Sequence, residues 1–204
     1  MKVLGISTSP RRNGNSETLL RRALAGAEAA GAEVDFIRLS DLTVGPCIEC
    51  NSCYTTGVCA LEDDYVEVLR RMLDADRLIF AMPVFFMSAC AQAKMLIDRG
   101  QCLWAAKYIL KKSPVGEGED RRAMVIAVGG SKSKKQFNCI RLMMKVYLDS
   151  LGVRYESNLF VNQVDETGDI EKHTAAMDQA FKLGSALALR QCIERDKPVD
   201  VELF

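Results

Sequence analysis

Short apolar runs alternate with helix-period segments from one end of the chain to the other. Continuous apolar residues cover positions 3–6, 78–82 and 123–128, residues 33–39 alternate between apolar and polar, and residues 153–161 form a further strand-like segment that ends in the apolar run 159–161. Apolar residues recur every three or four positions over 15–31, 88–110, 134–150 and 168–194, and again in a segment that follows residue 64. The first set predicts five strands and the second predicts five helices, each helix following a strand.

Continuous apolar strands with a helix after each one indicate a parallel sheet that is covered on both faces. The fold class is therefore α/β. Five strand–helix units are too few for a closed barrel and predict a doubly wound, flavodoxin-like sheet of five parallel strands in the order 2-1-3-4-5. Residues 43–62 then form a Cys-rich loop after the second strand. We expect 1–204 to be a single domain, in which residues 196–204 are a tail that frays or embraces a partner subunit.

Composition and charge exclude several classes of protein. Hydrophobic residues make up 49% of the 204, which is enough for one core and too many for a disordered chain. The 27 basic and 27 acidic residues cancel, so the charge indicates neither a nucleic-acid partner nor an anionic membrane surface. The sequence has no apolar run near the ~20 residues that span a bilayer, and its start lacks the apolar stretch of a signal peptide. We therefore expect a cytoplasmic protein.

The loop after the first strand has the composition of a phosphate site. Residues 7–18 are rich in hydroxyl and small side chains and lead directly into the first predicted helix. Backbone N–H groups and the helix dipole attract an anion at such a place, and hydroxyls with an arginine complete the cradle. Because the loop lacks the Gly-Lys-Ser/Thr of a triphosphate loop, a monophosphate such as that of FMN fits better; the alternative is a capped turn that binds nothing. The candidate residues are Ser7, Ser9, Arg11, Asn15 and Ser16.

Two further loops belong to the same edge of the predicted sheet, where ligands bind in folds of this kind. The loop after the third strand is apolar and aromatic where a solvent-facing loop is usually polar, which suits a flat isoalloxazine ring. Ordinary packing against a helix or a dimer partner is the alternative. After the fourth strand, Gly129 and Gly130 allow a ligand to approach the backbone closely. The candidate residues of the third-strand loop are Pro83, Val84, Phe85, Phe86, Met87 and Ser88.

Four of the eight cysteines lie within thirteen residues, at Cys47, Cys50, Cys53 and Cys59. Zinc sites usually take two separate Cys-x-x-Cys pairs, or one pair with distant histidines. Three thiols at two-residue separations, with a fourth six positions on, instead favour a [4Fe–4S] cluster in which each thiolate binds a different iron. Zinc remains the alternative at these four residues. Asp63 and Asp64, just beyond them, are typical of helix caps.

With these motifs the chain resembles the iron–sulfur flavoproteins, a group within the NADPH-dependent FMN reductase branch of the flavodoxin-like fold. The resemblance covers about the first 130 residues. Its matching segments are residues 7–16, the four cysteines with Asp63 and Asp64, and residues 82–86 followed by Gln92, Lys94, Asp98 and Arg99.

The resemblance implies bound FMN, with its phosphate in the first loop, its ring against residues 83–88, and Gly129 and Gly130 nearby. It also implies a [4Fe–4S] cluster that accepts single electrons, typically from ferredoxin, and passes them to FMN. Members of the group assemble as homodimers or homotetramers, in which a cluster faces the flavin of a neighbouring protomer. Met87 departs from the pattern, because relatives often carry Gly there.

Three functions remain open from the sequence. The first is an enzyme that passes electrons from a ferredoxin-like donor through the cluster to FMN and on to a quinone, peroxide or oxygen. The second is an NAD(P)H-dependent FMN or quinone reductase with zinc or no metal at the cysteines, and the third is an electron carrier without its own substrate. Lys132, Lys134 and Lys135 suit an acidic ferredoxin or a 2′-phosphate, although charge runs of this kind are more often a solvated helix start. Since neither a Ser-His-Asp set nor a carboxylate pair stands out, we assign no catalytic side chain.

Overall fold

A parallel sheet forms the centre of the protein in a computed structural model that describes residues 1–112, 120–189 and 198–203. Its long strands are β1 (Lys2–Ser7), β2 (Glu33–Arg38), β3 (Arg77–Phe85), β5 (Arg122–Val128) and β6 (Arg154–Val161), and two shorter strands are β4 (Ser88–Ala89) and β7 (Val199–Leu203). Within the described residues the strand order is β2-β1-β3-β5-β6-β7, and β4 pairs antiparallel with the end of β3. The predicted order of the first five long strands is confirmed, and a sixth parallel strand extends it.

The sixth strand replaces part of the predicted tail. β7 pairs in parallel with β6 from Ser157↔Val199 to Val161↔Leu203. Val201 and Leu203 pack on the apolar core beneath the sheet, while the Asn158 side chain donates a 2.5 Å hydrogen bond to Asp200. Alternation of apolar and acidic residues over 199–203 is the strand signal that the prediction of a tail missed. Residues 196, 197 and 204 of that predicted tail lie outside the described residues.

Helices cover both faces of the sheet, as the apolar strands require. The first apolar core lies under α1 (Asn15–Ala29), α7 (Asp169–Lys172) and α8 (Thr174–Ala188). The second core lies under the opposite layer of helices. That layer contains α2 (Cys53–Thr56), α3 (Tyr65–Asp74), α4 (Ala91–Arg99), α5 (Gln101–Trp104) and α6 (Asn138–Ser150), and short 3-10 turns lie at Leu39–Asp41 and Lys134–Phe137.

Three helix predictions need correction. The helix predicted over 88–110 is divided into β4, α4, α5 and a π-helical turn at Ala105–Ile109. The helix predicted over 168–194 is divided between α7 and α8, and its end beyond residue 189 lies outside the described residues. The helix predicted after residue 64 is expected to carry Val66, Leu69 and Leu73 as its apolar residues. In α3 the buried side chains are Tyr65, Val68 and Met72, Leu69 and Leu73 pack partly against the core, and Val66 is exposed. None of the helices described is long and apolar enough to cross a bilayer.

Candidate functional site

A pocket opens at the carboxyl ends of β1, β3 and β5, where the three predicted loops meet. A fourth loop, which follows β6, closes its side and was not identified from the sequence. The pocket is about 80 Å³ and is lined by Ser9, Arg11, Gly14, Asn15, Ser16, Pro83, Val84, Phe85, Val128, Gly129, Gly130, Val164, Asp165 and Thr167. Residues 162–168 of the fourth loop contain no recognisable ligand motif, and only the sheet order brings this loop beside the first.

The start of α1 presents polar groups to this pocket. The Ser9 hydroxyl donates to the carbonyl of Arg11 and accepts from its amide, both at 3.1 Å, so the loop holds its own shape. Gly14 precedes the helix, and the first backbone N–H groups of α1 lack partners within the helix, as at every helix N-terminus. The Ser16 hydroxyl is buried and has no hydrogen-bond partner within the described protein. A buried polar atom without a partner is costly, and a phosphate oxygen at the helix N-terminus would satisfy it.

Two predicted phosphate residues have other partners. Ser7 is buried outside the pocket lining, and its hydroxyl donates a 3.4 Å hydrogen bond to Glu17. Asn15 lines the pocket, but its amide group donates at 2.8 Å to the carbonyl of Glu166 and accepts at 3.1 Å from the amide of Gly168. Asn15 therefore ties the start of α1 to the loop after β6.

The buried carboxylate of Glu17 forms ion pairs that hold the loop after β1 in place. It lies 2.5 Å from the Arg38 guanidinium at the end of β2 and 3.0 Å from Arg21. Burial by itself raises the pKa of Glu17, but the hydrogen bonds from Arg38 and Arg21 outweigh it and leave the pKa below its usual value. The carboxylate stays ionised and holds the ends of β1 and β2 together.

The loop between β3 and β4 is a tight hairpin. Val84 pairs with Ala89 and Phe85 with Ser88, which leaves only Phe86 and Met87 at the turn. Both turn residues have positive φ, 48° and 62°. Pro83, Val84 and Phe85 line the pocket, whereas Phe86, Met87 and Ser88 are absent from its described lining. Phe86 is fully exposed, so this tip projects away from the protein.

Gly129 and Gly130 lie where a side chain would collide with the pocket wall. A Cβ on Gly129 would overlap the side-chain oxygen of the buried Gln136, and one on Gly130 would lie 3.0 Å from the Asp165 carboxyl carbon. The Gln136 amide holds the loop by donating a 2.8 Å hydrogen bond to the carbonyl of Ser131. The glycines therefore keep bare backbone against the pocket, as a flat ring requires.

The four cysteines of the loop over 43–62 line a second, smaller pocket. Cys53 is buried, Cys47 and Cys59 are half-buried and Cys50 is exposed. The same pocket is lined by Ile48, Glu49, Asn51, Ala60, Leu61, Arg99, Gln101 and a fifth cysteine, Cys102. Within the described residues, no three His, Cys, Asp or Glu side chains lie close enough together to hold a single metal ion. Four thiols around one cavity fit a cubane, in which each thiolate takes its own iron, better than a single zinc ion.

The thiols differ in their electrostatic surroundings. A backbone hydrogen bond from Ser52 lowers the pKa of the exposed Cys50. Burial and the neighbouring Cys102 raise the pKa of Cys53, and burial also raises the pKa of Cys102.

Asp63 and Asp64 hold the ends of the cysteine loop together rather than only capping α3. Asp64 accepts a 2.6 Å hydrogen bond from the amide of Thr43, and its side chain makes no cap to the helix. Asp63 accepts from the amides of Tyr65 at 3.0 Å and Gly45 at 2.8 Å. The prediction of two helix caps therefore holds only for the Asp63–Tyr65 contact.

Comparison with known proteins finds similar sequences and similar solved structures. The family model of the NADPH-dependent FMN reductases matches residues 1–154. An iron–sulfur flavoprotein of Methanocaldococcus jannaschii is 39% identical over 200 residues, which is 92% of this chain and 96% of that protein. An iron–sulfur flavoprotein of Methanosarcina thermophila is 34% identical over 141 residues, or 69% of this chain and 70% of that protein.

Solved structures share the fold. The NAD(P)H:quinone oxidoreductase from Methanothermobacter marburgensis superposes with a TM-score of 0.70 over 96% of this chain and 99% of that chain. Its sequence identity is 19%, so this likeness supports the α/β architecture alone.

Proposed function

The chain belongs to the NADPH-dependent FMN reductase family, among the iron–sulfur flavoproteins, and on that premise we propose that it is an FMN-dependent oxidoreductase that receives its electrons through a [4Fe–4S] cluster. One observation carries the proposal: a single chain has an anion-ready pocket at the sheet edge and a separate cavity lined by four thiols. An iron–sulfur centre transfers one electron at a time, whereas a flavin can hold two.

The first pocket has the groups that FMN needs. Ser9, Arg11 and Ser16, with the first amides of α1, would hold the phosphate. Pro83, Val84 and Phe85 would lie against the ring, and Gly129 and Gly130 would admit its edge. Bound there, FMN supplies hydride and single-electron chemistry, while the protein fixes its position and excludes water from one face.

The second pocket has the groups that a [4Fe–4S] cluster needs. Cys47, Cys50, Cys53 and Cys59 would each bind one iron. Because Cys50 is exposed, the cluster would lie near the surface of the protomer, where a protein electron donor can approach it. We propose a ferredoxin-like donor, a two-electron acceptor such as a quinone, peroxide or oxygen, and a homodimer or homotetramer in the cytoplasm.

The second candidate function is an NAD(P)H-dependent FMN or quinone reductase that uses the cysteines for zinc or not at all. The family model and the exposed Lys132, Lys134 and Lys135 beside the glycine loop favour it. Their ammonium groups suit a 2′-phosphate as well as an acidic donor protein.

Cofactor analysis of anaerobically purified protein is the first test. We expect FMN bands over broad cluster absorption, with about four irons and four sulfides per chain. Zinc, or FMN without metal, would refute the cluster and leave the second candidate function. Anaerobic mixing with NADPH, and separately with reduced ferredoxin, then identifies the donor by the bleaching of the flavin. Turnover with an added quinone separates an enzyme from a simple electron carrier.

A further inference from the structure

One buried arginine bonds the cysteine loop at both of its ends. Arg99 is the last residue of α4 and is fully buried. Its guanidinium lies over the ring of Tyr65, with 4.5 Å from the guanidinium carbon to the ring centroid. Its N–H groups donate to Cys59 Sγ at 3.2 Å, the Gly45 carbonyl at 3.1 Å, Asp63 Oδ2 at 2.6 Å and the Leu61 carbonyl at 3.2 Å.

These contacts close the loop around the thiol pocket. Gly45 precedes the first cysteine, whereas Leu61 and Asp63 follow the last, so one side chain joins the two ends. Asp63 completes the connection, because its carboxylate accepts from both Arg99 and the Gly45 amide. Burying a guanidinium is costly unless its charge and its donors are matched, and here one carboxylate, two carbonyls and one sulfur match them.

The contact with Cys59 is the one that bears on redox chemistry. Iron–sulfur potentials depend on the net charge around the cluster and on hydrogen bonds to its sulfurs. Reduction adds negative charge, so a permanent cation with an N–H directed at a ligand sulfur stabilises the reduced state. From this geometry we infer that Arg99 is a positioning residue that raises the reduction potential of the [4Fe–4S] cluster and holds Cys59 in place. The inference rests on the proposed function, since it concerns the cluster proposed there.

Lysine cannot replace this side chain fully. A planar guanidinium reaches four acceptors in fixed directions, whereas an ammonium is a compact point charge with three donors. Arg99→Lys keeps the charge and loses most of the contacts, and Arg99→Gln loses the charge as well. Together they separate the contribution of charge from that of geometry. Arg70 is the matched control, because it is an exposed arginine on α3 whose ion pairs within the described residues are with two surface carboxylates, Glu67 and Asp74.

The test is an anaerobic redox titration of the loaded protein, followed by EPR for the cluster and by absorbance for the flavin. In Arg99→Gln we expect the equilibrium constant for cluster reduction to fall about tenfold, a shift of about 59 mV to more negative potential for one electron. Arg99→Lys should shift less and Arg70→Gln should not shift. The flavin potential should stay at the wild-type value in all three variants. A residue that only supports the fold would leave the cluster potential unchanged.

A second readout covers the case in which a variant fails to hold iron. In cluster-free protein, hydrogen exchange of the Gly45 amide shows whether Arg99 still holds the two ends of the cysteine loop together, because that amide donates to the Asp63 carboxylate held by Arg99. We expect exchange of the 43–47 segment to be about tenfold faster in Arg99→Gln than in wild type, with β1 and β3 unchanged.

The outcomes separate this inference from the proposed function. If wild-type protein contains no iron and sulfide, the proposed function fails and takes the inference with it. If wild type carries the cluster but both Arg99 variants titrate at the wild-type potential, the inference alone is wrong. Where neither variant loads, wild-type exchange rates in the 43–47 segment overturn it, and faster exchange confined to that segment supports it.

Discussion

At the scale of single residues, the buried hydroxyl of Ser16 should contribute to ligand binding and not to folding. It has no partner within the described protein, so Ser16→Ala removes nothing that the empty protein uses. If the hydroxyl bonds the FMN phosphate, its loss should weaken FMN binding about tenfold, the usual contribution of one hydrogen bond to a charged group. Quenching of FMN fluorescence by apoprotein measures the affinity.

Ser7→Ala is the control for that measurement. Ser7 is equally buried, but its hydroxyl donates to Glu17 outside the pocket. It should lower the free energy of unfolding by about 1 kcal/mol and leave FMN affinity unchanged. The reverse pattern, with Ser7→Ala losing FMN and Ser16→Ala binding normally, would place the phosphate at the end of β1 and not at the start of α1.

The Glu17 carboxylate should give the protein an acid-sensitive component of stability. Because the folded pKa lies below the usual 4.5, the ion pair contributes fully above that pH and is lost as pH falls through the folded pKa. Glu17→Gln leaves Arg38 without its buried partner and should cost about 3 kcal/mol at neutral pH. In urea unfolding from pH 7 to pH 3, the difference in free energy of unfolding between wild type and Glu17→Gln should become smaller as the pH falls. A difference that stays constant with pH would mean that Glu17 acts through packing alone.

At the scale of elements, the β3–β4 hairpin carries backbone strain at its tip. Phe86 and Met87 both occupy the left-handed region, which a two-residue turn of this hand requires and which favours Asn and Gly. Met87→Gly should therefore raise the free energy of unfolding by about 1 kcal/mol. Phe86→Ala is the control: it keeps the backbone strain and removes only an exposed ring, so the free energy of unfolding should change little. Denaturant titration of both variants measures the difference; a loss of stability in Met87→Gly would show that the methionine side chain has a packing role.

The crossing of α1 and α8 depends on two glycines. A methyl group on Gly184 would overlap the Ala23 carbonyl, and one on Gly26 would overlap the Phe181 carbonyl. Gly184→Ala should lower the free energy of unfolding by about 3 kcal/mol, because the helix backbones cannot move apart without opening the core. Ser185→Ala, one position along the same helix, should leave the free energy of unfolding unchanged. Thermal melts of the two variants give the comparison, and equal melting temperatures would contradict the close approach.

The local sequence pattern predicted the helices and strands better than it predicted where they break and which loops meet. Apolar runs were enough to identify β1, β3 and β5, and the cysteine spacing located the thiol pocket, because both signals lie within a few consecutive residues. The break at Gly100 between α4 and α5 was missed, since Tyr147 from α6 occupies the space there and no local pattern records it. Asp165 and Thr167 were missed for the same reason: tertiary contact alone brings the β6 loop to the pocket.

At the scale of the whole molecule, α4 connects the two candidate sites. Its first turn follows Cys90, whose buried sulfur lies 3.3 Å from the Thr8 hydroxyl in the phosphate loop. Its last residue is Arg99, bonded to Cys59 in the cysteine loop. Nine helical residues span about 14 Å, so one rigid element fixes the distance between the candidate flavin pocket and the candidate cluster pocket within a protomer.

The same connectivity predicts how the whole chain responds to FMN. The flavin pocket takes residues from loops after β1, β3, β5 and β6, so binding should stabilise the entire sheet rather than one lobe. At 100 times its Kd, FMN should raise the free energy of unfolding by about 2.7 kcal/mol, in one cooperative transition if 1–204 is a single domain. Riboflavin, which lacks the phosphate, should stabilise much less at the same concentration, because the start of α1 would stay unoccupied. Far-UV circular dichroism and flavin fluorescence should give coincident midpoints. If riboflavin and FMN stabilise equally, the first loop is not the phosphate site; if the two probes separate, the sheet does not unfold as one unit.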